Sequence, residues 1–381
     1  MQTPDGVEVT IKDDDPEDNL ITALTYNIHS CVGSDWKYDC ARVAQNIQAA
    51  LPDVVGIQEC DVNSARQKTR IWSSTHTDDQ VSKLGELSGQ ASMFFGPAIR
   101  CVAGPGKFQE RHGEGEGEFG IGILTKHKIV ERRTLTYKQY KTKTPRNAIA
   151  CLLSLDPENK RTVWFINTHL GCHTGKEQFF QAKELISYVE DLIVESNDEF
   201  PIILVGDTNS PPWFKAIRAL RGLDVSRGSV FKRYLGLNLR GATGTLKQED
   251  EVLKDAWSEY SRENDENIGK GGTFPALGLP AAYWATWFKP MLKLDYILYR
   301  GLEIVDTEVV QGEGIDLMAS DHRPMRARFR FVDGGAKGAF EKRDRGGAFY
   351  DKECTWNEFW LDLVFVLGLV GVVVAIAVAA K

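Results

Sequence analysis

The chain has 381 residues, 42% of them hydrophobic, enough to bury a sizeable core in one large domain or two ordinary ones. A formal net charge of -7 excludes a surface built as a whole for nucleic acid, though not a local basic cleft. The 7 cysteines are odd in number and show no CxxC pair or zinc spacing, which reads as reduced structural thiols in a reducing compartment.

Residues 1–18 are polar, with Asp13, Asp14, Asp15, Glu17 and Asp18 crowded together. They read as an acidic disordered tail, without the basic-then-apolar pattern of a secretory signal. Leu20–Ile28 reads as a strand carrying Asn27 at its end, followed by a loop with His29, Ser30 and Gly33. Asp39 is expected to cap a helix whose apolar positions are Val43, Ile47, Ala50 and Leu51, ended by Pro52. Asp53–Gln58 is the next strand, closed by Glu59. Asp78 or Asp79 starts a second helix through Val81, Leu84 and Leu87, with Gly89 as its stop. Residues 104–118 alternate glycine and glutamate at their end and read as a mobile surface loop.

Strands follow at Phe119–Thr125, Ile149–Leu155 and Val163–Thr168, the last followed by His169. Phe179, Ala182, Ile186, Val189 and Ile193 mark one face of an amphipathic helix. Pro201–Val205 is a short, branched, apolar run, so a buried strand. Gly206, Asp207 and Asn209 follow at once, as a turn or a site, and Pro211-Pro212 open another helix. Residues 223–272 show little periodicity. Leu294–Tyr299 and Pro324–Phe331 are the last strands, and Gly334–Arg345 reads as a linker.

The chain end differs from everything before it. From Leu363 to Ala380 there is no charged or polar side chain, and Trp356 and Trp360 precede the run as interfacial aromatics would. A helix over this run is about 27 Å long, close to a hydrocarbon core, so it reads as a transmembrane anchor. Lys342, Arg343, Arg345 and Lys352 precede it and only Lys381 follows, which orients the preceding domain toward the cytosol.

A pattern joins the strands. Asn27, Glu59, His169 and Asp207 each end an apolar run, whereas Asp295, Asp321 and His322 each stand at the start of one. Strands of mixed direction can gather all seven at one sheet rim. Each residue alone has a structural explanation, but the set points to a site. Glu59, Asp321 and Asn27 offer hard oxygen ligands with no cysteine beside them, favouring Mg²⁺ or Mn²⁺ over zinc. Asp295 and His322 suit an acid–imidazole pair, and Asp207 suits a base that takes a proton from water. A metal, an oriented histidine, a base and an amide suit in-line attack on a phosphorus ester.

The segments LTYNIHSCVG, DVVGIQE, GIGIL, INTHLG, LVGDTN, KLDYIL and SDHRPM resemble, in order and spacing, the motifs of the endonuclease/exonuclease/phosphatase superfamily. That group includes deoxyribonuclease I, abasic-site exonucleases, neutral sphingomyelinases and inositol-polyphosphate 5-phosphatases. The resemblance covers about residues 20–332. It implies an α/β fold, a four-layer α/β/β/α sandwich of two mixed sheets flanked by helices, with one Mg²⁺-dependent site at the rim. The resulting plan is an acidic tail (1–18), a catalytic domain (19–332), a linker (333–356) and a transmembrane anchor (357–381).

The resemblance also implies roles. Glu59 is the main metal ligand, with Asn27 beside it and Asp321 near the metal. Asp207 and Asn209 position or activate the nucleophile and contact the phosphate. His322, held by Asp295, acts on the phosphoryl oxygen. His169 assists the leaving group, as in the deoxyribonuclease and sphingomyelinase branches, with Glu118 as its possible support. Arg146 contacts phosphate. Two departures stand out: LKLDYIL replaces the tryptophan-cysteine-aspartate-arginine string of the 5-phosphatases, and His29 occupies a position that is acidic in some exonucleases.

For substrate, the basic stretch Lys126, Lys128, Arg132, Arg133, Lys138, Lys141, Lys143 and Arg146 suits a nucleic-acid backbone or a solvated hairpin. The anchor, with Tyr283, Trp284, Trp287 and Phe288, suits a phospholipid. The reading ranks a membrane-tethered phosphodiesterase on nucleic acid first, and a sphingomyelinase-like or phosphoinositide-type lipid hydrolase second. The non-enzyme alternative is a tethered binding module without catalysis. No protein partner is expected.

Overall fold

The computed structural model describes residues 19–63, 78–101, 117–138, 145–158, 160–212, 214–223, 251–263, 271–274 and 292–332. The acidic tail, residues 104–116 of the expected loop, the aromatics at 283–288, the linker and the apolar run at 363–380 lie outside them. Among the described residues, no helix is long and apolar enough to cross a membrane.

Among the described residues, twelve strands form two sheets. The first six-stranded sheet has the order β11-β12-β1-β2-β4-β3. Its strands are β1 (Leu20–Asn27), β2 (Val54–Val62), β3 (Ser92–Cys101), β4 (Gly117–Thr125), β11 (Leu302–Val309) and β12 (Met325–Phe331). The second six-stranded sheet has the order β5-β6-β7-β8-β10-β9. It contains β5 (Lys128–Thr136), β6 (Asn147–Ser154), β7 (Thr162–His169), β8 (Ile202–Asp207), β9 (Lys254–Asp255) and β10 (Asp295–Arg300). Only β1–β2 and β7–β8 pair in parallel, so both sheets are mixed.

Three cores explain the layering. Phe165, Val205, Ile203, Ile123 and Phe329 fill the space between the sheets. Helices α1 (Cys40–Ala49) and α2 (Gln80–Ser88) cover the outer face of the first sheet through Val43, Ile47, Val81 and Leu84. Helices α3 (Gly175–Glu195) and α4 (Lys215–Leu220) cover the second through Phe179, Ile186, Ile217 and Leu220. Each such side chain, fully buried, contributes about 1.5–3 kcal/mol relative to exposure. A short helix, α5 (Ala256–Glu263), adds Ala256 and Trp257 to the inter-sheet core.

The helix ends follow the sequence signals. Asp39 accepts from the amides of Ala41 and Arg42, and Asp79 from that of Ser82. Gly89 closes α2 in the left-handed conformation.

Several expectations need correction. Leu51 is 71% exposed and Leu87 41% exposed, so neither belongs to a buried face. Glu59 does not close β2, which runs on to Val62 through a register shift between Gln58 and Cys60. The loop expected at 104–118 ends sooner, because Gly117 and Glu118 already belong to β4. Strands β3, β5 and β11 were not expected. β3 and β11 lie at sheet edges, with Gly96-Pro97 interrupting β3 and charges interrupting β11. β5, an edge of the second sheet, carries Lys128, Arg132 and Arg133 of the basic stretch.

Candidate active site

Strand direction brings the candidates together. β1, β7 and β8 run toward one rim and end there with Asn27, His169 and Asp207, and β2 reaches the same rim with Glu59 in its bulge. β6, β10 and β12 leave the same rim, behind Arg146, Asp295 and the Asp321-His322 pair. Register does the rest: Asp207 lies directly opposite His169 on one side and opposite Asp295 on the other. The close approach of β8 to β7 requires Gly206, because a Cβ there would lie 2.1 Å from the Thr168 carbonyl oxygen.

Asp207 is the hub and is buried. Its Oδ1 accepts from the Asn209 amide at 2.8 Å, and its Oδ2 accepts from Asn27 Nδ2 at 2.9 Å. The same Oδ2 lies 3.5 Å from His169 Nε2 and 3.7 Å from His322 Nε2. Burial raises the Asp207 carboxyl to about 7, against the opposing pull of His322 and with a further push from Asp295. Its proton therefore leaves near neutrality, which suits a base.

His322 is tied by Nδ1 to Asp295 Oδ2 at 2.8 Å. Burial alone would lower its pKa, but Asp295 and Asp207 outweigh burial and raise it to about 10. The ring is thus an imidazolium at neutral pH, oriented by one carboxylate and facing another. Phe274 packs against it, with ring centroids 4.9 Å apart, and the Thr273 hydroxyl accepts from the amide of Asp295 at 3.3 Å. Ser320 ties the end of β1 to the loop before β12. Its hydroxyl donates to the Asn27 carbonyl at 2.7 Å and accepts from the His322 amide at 3.2 Å.

The first sheet supplies the more open half. Glu59 sits in the bulge with φ 59°, and Asn27 Nδ2 lies 3.4 Å from its Oε1. Asp321 is 35% exposed at the side chain, and its Oδ1 lies 3.9 Å from His29 Nδ1. The Asn27 amide oxygen accepts from the His29 amide at 3.0 Å, so its nitrogen, not its oxygen, faces Glu59 and Asp207. Asn27 thereby bridges two carboxylates by donation.

Two donor groups bear on a cation. Among the described residues, Asp207, Asp295 and His322 bring their ligand atoms within 4.8 Å of one another. Both nitrogens of His322 already face carboxylates, and a protonated ring is no ligand, so this trio fits proton chemistry better. Glu59 and Asp321 carry carboxylate oxygens of the kind a hard divalent ion prefers, whereas the Asn27 oxygen, expected as a ligand, is taken by the His29 amide.

His169 completes the rim with Arg146 and Asn209. Arg146 Nη1 lies 3.4 Å from His169 Nδ1, and Asn209 Nδ2 lies 3.0 Å from His169 Nε2. Arg146 is buried, its guanidinium lies 6.0 Å from the Phe119 ring, and its Nε has no hydrogen-bond partner among the described residues. Such a cation beside the site suits an anion. Glu118, expected near His169, pairs with Arg100 at 3.6 Å. Behind Arg146, Glu177 is buried in the first turn of α3, and burial holds its carboxyl above the usual range.

All nine expected site residues thus reach one rim. Thr273, Phe274, Ser320 and Glu177 were missed. Thr273 and Phe274 fall at the edge of the aperiodic segment, and Ser320 looks like loop composition. Glu177 follows Thr174 by three residues as a capping-box signal and gave no other hint. The basic stretch is partly committed to structure: Lys126 faces Asp53 at 3.6 Å, and Arg133 pairs with Glu131 and Glu195.

Two mixed sheets with facing cores, a helical layer on each outer face and polar residues at one rim define a deoxyribonuclease I-like sandwich. Residues 24–322 match the model of the Endonuclease/Exonuclease/phosphatase family, and the chain belongs to that family. No curated protein matches the chain. Among solved structures, an endonuclease/exonuclease/phosphatase from Beutenbergia cavernae is 20% identical, with TM-score 0.54, covering 82% of this chain and 72% of that one. A mannosyl-6-phosphatase from Bacteroides thetaiotaomicron is 17% identical, with TM-score 0.53, covering 82% of this chain and 100% of that one. The human Nocturnin catalytic domain, with a bound sulfate anion, is 20% identical, with TM-score 0.51, covering 82% and 94%. At these identities the likeness is one of fold.

Proposed function

We propose that this chain is a divalent-metal-dependent phosphoric ester hydrolase that cleaves phosphodiester bonds. The observation that carries the reading is the buried hub: one carboxylate, Asp207, within 3.7 Å of both His169 and His322 and hydrogen-bonded to Asn27. Asp207 takes a proton from the attacking water. The His322 imidazolium, oriented by Asp295, donates toward a phosphoryl oxygen, and Arg146 and the Asn209 amide face the same anion. Glu59 and Asp321 would hold the metal, which would neutralise phosphoryl charge when bound, with the Asn27 amide nitrogen steadying Glu59; carboxylate oxygen donors favour Mg²⁺, with Mn²⁺ as substitute.

Nucleic acid is the substrate ranked first. Lys128, Arg132 and Lys138 are exposed on or just beyond β5, whose far end returns through Arg146 into the rim. The lipid reading rests on the apolar run 363–380 with its basic flank, read as a membrane tether that leaves the catalytic domain in the cytosol. A panel of plasmid DNA, RNA, sphingomyelin, phosphoinositides and nucleotides, assayed with Mg²⁺ and with Mn²⁺, tests the reading. Turnover of DNA or RNA above all others is expected. Turnover of a lipid alone would replace the substrate assignment, and none on any member would overturn the activity.

A further inference from the structure

Between β1 and α1 the chain makes a short hairpin whose tip breaks a local rule. Val32 and Tyr38 form an antiparallel bridge, the Gly33 amide donates to the Lys37 carbonyl at 2.9 Å, and the Trp36 amide donates to the Gly33 carbonyl at 2.8 Å. That is the hydrogen-bond pattern of a three-residue hairpin loop, Ser34-Asp35-Trp36, whose last residue turns left-handed and is by preference glycine. Here it is Trp36, at φ 63°. A side chain costs energy in that conformation, and glycine has none. Burial does not offset the cost: the indole is 52% exposed, and Trp36 is the one exposed aromatic among the described residues. An exposed apolar side chain alone is ordinary, but one kept on a strained backbone beside a site points to a role there.

Ser34 ties the hairpin to the site. Its amide donates to the Met318 carbonyl at 2.9 Å and its hydroxyl to the Ser320 carbonyl at 3.0 Å, directly before Asp321 and His322. Trp36 follows Ser34 by two residues, at most about 7 Å along the chain. At the base of the hairpin, the Val32 carbonyl lies 2.8 Å from His29 Nδ1, which is 3.9 Å from Asp321 Oδ1. The acid at the tip is already claimed, since Arg42 Nη1 donates to the two Asp35 oxygens at 3.1 and 3.0 Å. Lys37 is exposed next in the chain. The tip thus brings an aromatic ring and a cation to the Asp321 side of the rim.

We propose that Trp36 is a stacking platform for a nucleobase that flanks the phosphodiester on the Asp321 side of the rim. An indole face accepts any base, so the platform selects a class of substrate rather than a sequence. It needs a base whose own face is uncovered, which means single-stranded nucleic acid or an unpaired end rather than intact duplex. Lys37 adds attraction for the backbone that carries the base.

This role for Trp36 rests on the nucleic-acid reading of the rim and narrows it, and binding measured apart from hydrolysis separates the two. The full-length chain, in excess chelator, is titrated into three fluorescein-labelled probes: a short thymidine strand, the same strand in duplex, and an abasic strand of equal length. The wild type is expected to bind the thymidine strand about tenfold tighter than the abasic one. Trp36→Gly is expected to lose about tenfold on the thymidine strand and nothing on the abasic strand or the duplex. Its melting temperature should stay close to wild type's, because relief of the backbone at φ 63° offsets the lost contacts. Trp36→Phe should bind within about threefold of wild type, and Trp36→Leu, apolar but without a ring, should bind like Trp36→Gly. Wild-type affinity of Trp36→Gly for the thymidine strand, or a loss of equal size on the abasic strand, would overturn the proposal. So would release of Trp36→Gly from phosphatidylcholine–phosphatidylserine vesicles that retain the wild type, with strand binding unchanged, because the indole would then meet lipid. Base-dependent binding by a chain that hydrolyses no diester with Mg²⁺ would leave the platform standing and sink the proposed function. Hydrolysis of diesters with no dependence on bases would sink the platform alone.

Discussion

The two sheets build their halves of the rim by different means. The second sheet uses regular pairing: His169, Asp207 and Asp295 stand side by side on β7, β8 and β10 because register puts them there. These residues are buried, and their hydrogen bonds are short. The first sheet uses departures from regularity. Glu59 sits in a bulge at φ 59°, His29 and Ser30 have φ of 46° and 52°, and Asp321 lies before its strand, partly exposed. Regular, buried pairing fixes atoms closely enough for proton transfer and shifts carboxyl affinity by desolvation. A bulged, open half offers oxygens that solvent and a hydrated cation can reach. Under the proposed function, proton chemistry would draw on the second sheet together with His322 from the loop before β12, and metal binding on Glu59 and Asp321 of the first sheet.

The sharpest way to break that division is at the hub. Asp207→Asn is expected to lower kcat by about 10³-fold or more while keeping an oxygen for one of the two hydrogen bonds, from the Asn27 side chain or the Asn209 backbone, and losing the other. Stability should move the other way. The Asp207 carboxyl is raised from 3.8 to about 7 in the fold, so the folded state prefers it protonated, and stability falls as pH rises between those values. The variant removes that loss, so its melting temperature should exceed the wild type's at about pH 8 and match it near pH 3. A lower melting temperature at both would mean that the carboxylate is a structural ion partner.

Next in size is the pair beside it. His322→Ala is expected to cost about 10²–10³-fold in kcat, and the Asp295→Ala/His322→Ala double variant hardly more, because Asp295 acts through the ring it orients. Losses that multiplied would separate the two. The pH–rate profile of the wild type should rise through about 7, as the cluster loses the Asp207 proton, and fall near 10, as His322 loses its own. A flat profile across the lower step would remove the base from Asp207.

On the open half the effect should be on metal rather than on proton chemistry. Glu59→Gln is expected to weaken Mg²⁺ binding by about 10–100-fold in calorimetry, with little change in melting temperature or in the pH profile at saturating metal. Wild-type affinity would move the metal to the Asp207 cluster and erase the contrast between sheets. The smallest effect is expected from removing residues after Asp333, which should leave turnover of a small soluble diester unchanged, since the described rim draws on nothing beyond residue 332.

The sequence was most legible where burial is complete. Runs such as Pro201–Val205 and Val163–Ile166 are apolar on both faces because sheet and helix cover both, and a polar residue beyond such a run stands out. Edge strands hid for the opposite reason: β11 alternates with charge and β3 contains Gly96-Pro97, so neither has an apolar run to read. Glu59 was seen as a terminator because a charge ended the run, and a bulge leaves no mark in composition. The candidate residues were legible one by one, but their partners were not. That Arg146 faces His169 depends on the register of β6 on β7, and that Phe274 packs on His322 depends on segments distant in sequence. Asn27 was read as an oxygen ligand, yet its amide turns because the His29 amide claims the oxygen.

The most direct measurement is the initial rate on a small chromogenic phosphodiester for the full-length chain and for Asp207→Asn, each with saturating Mg²⁺ and with excess chelator. The account requires turnover in the wild type with Mg²⁺ and a loss of about 10³-fold or more in the other three arms. Wild-type turnover that survives the chelator, or an Asp207→Asn rate within about tenfold of wild type, would contradict it.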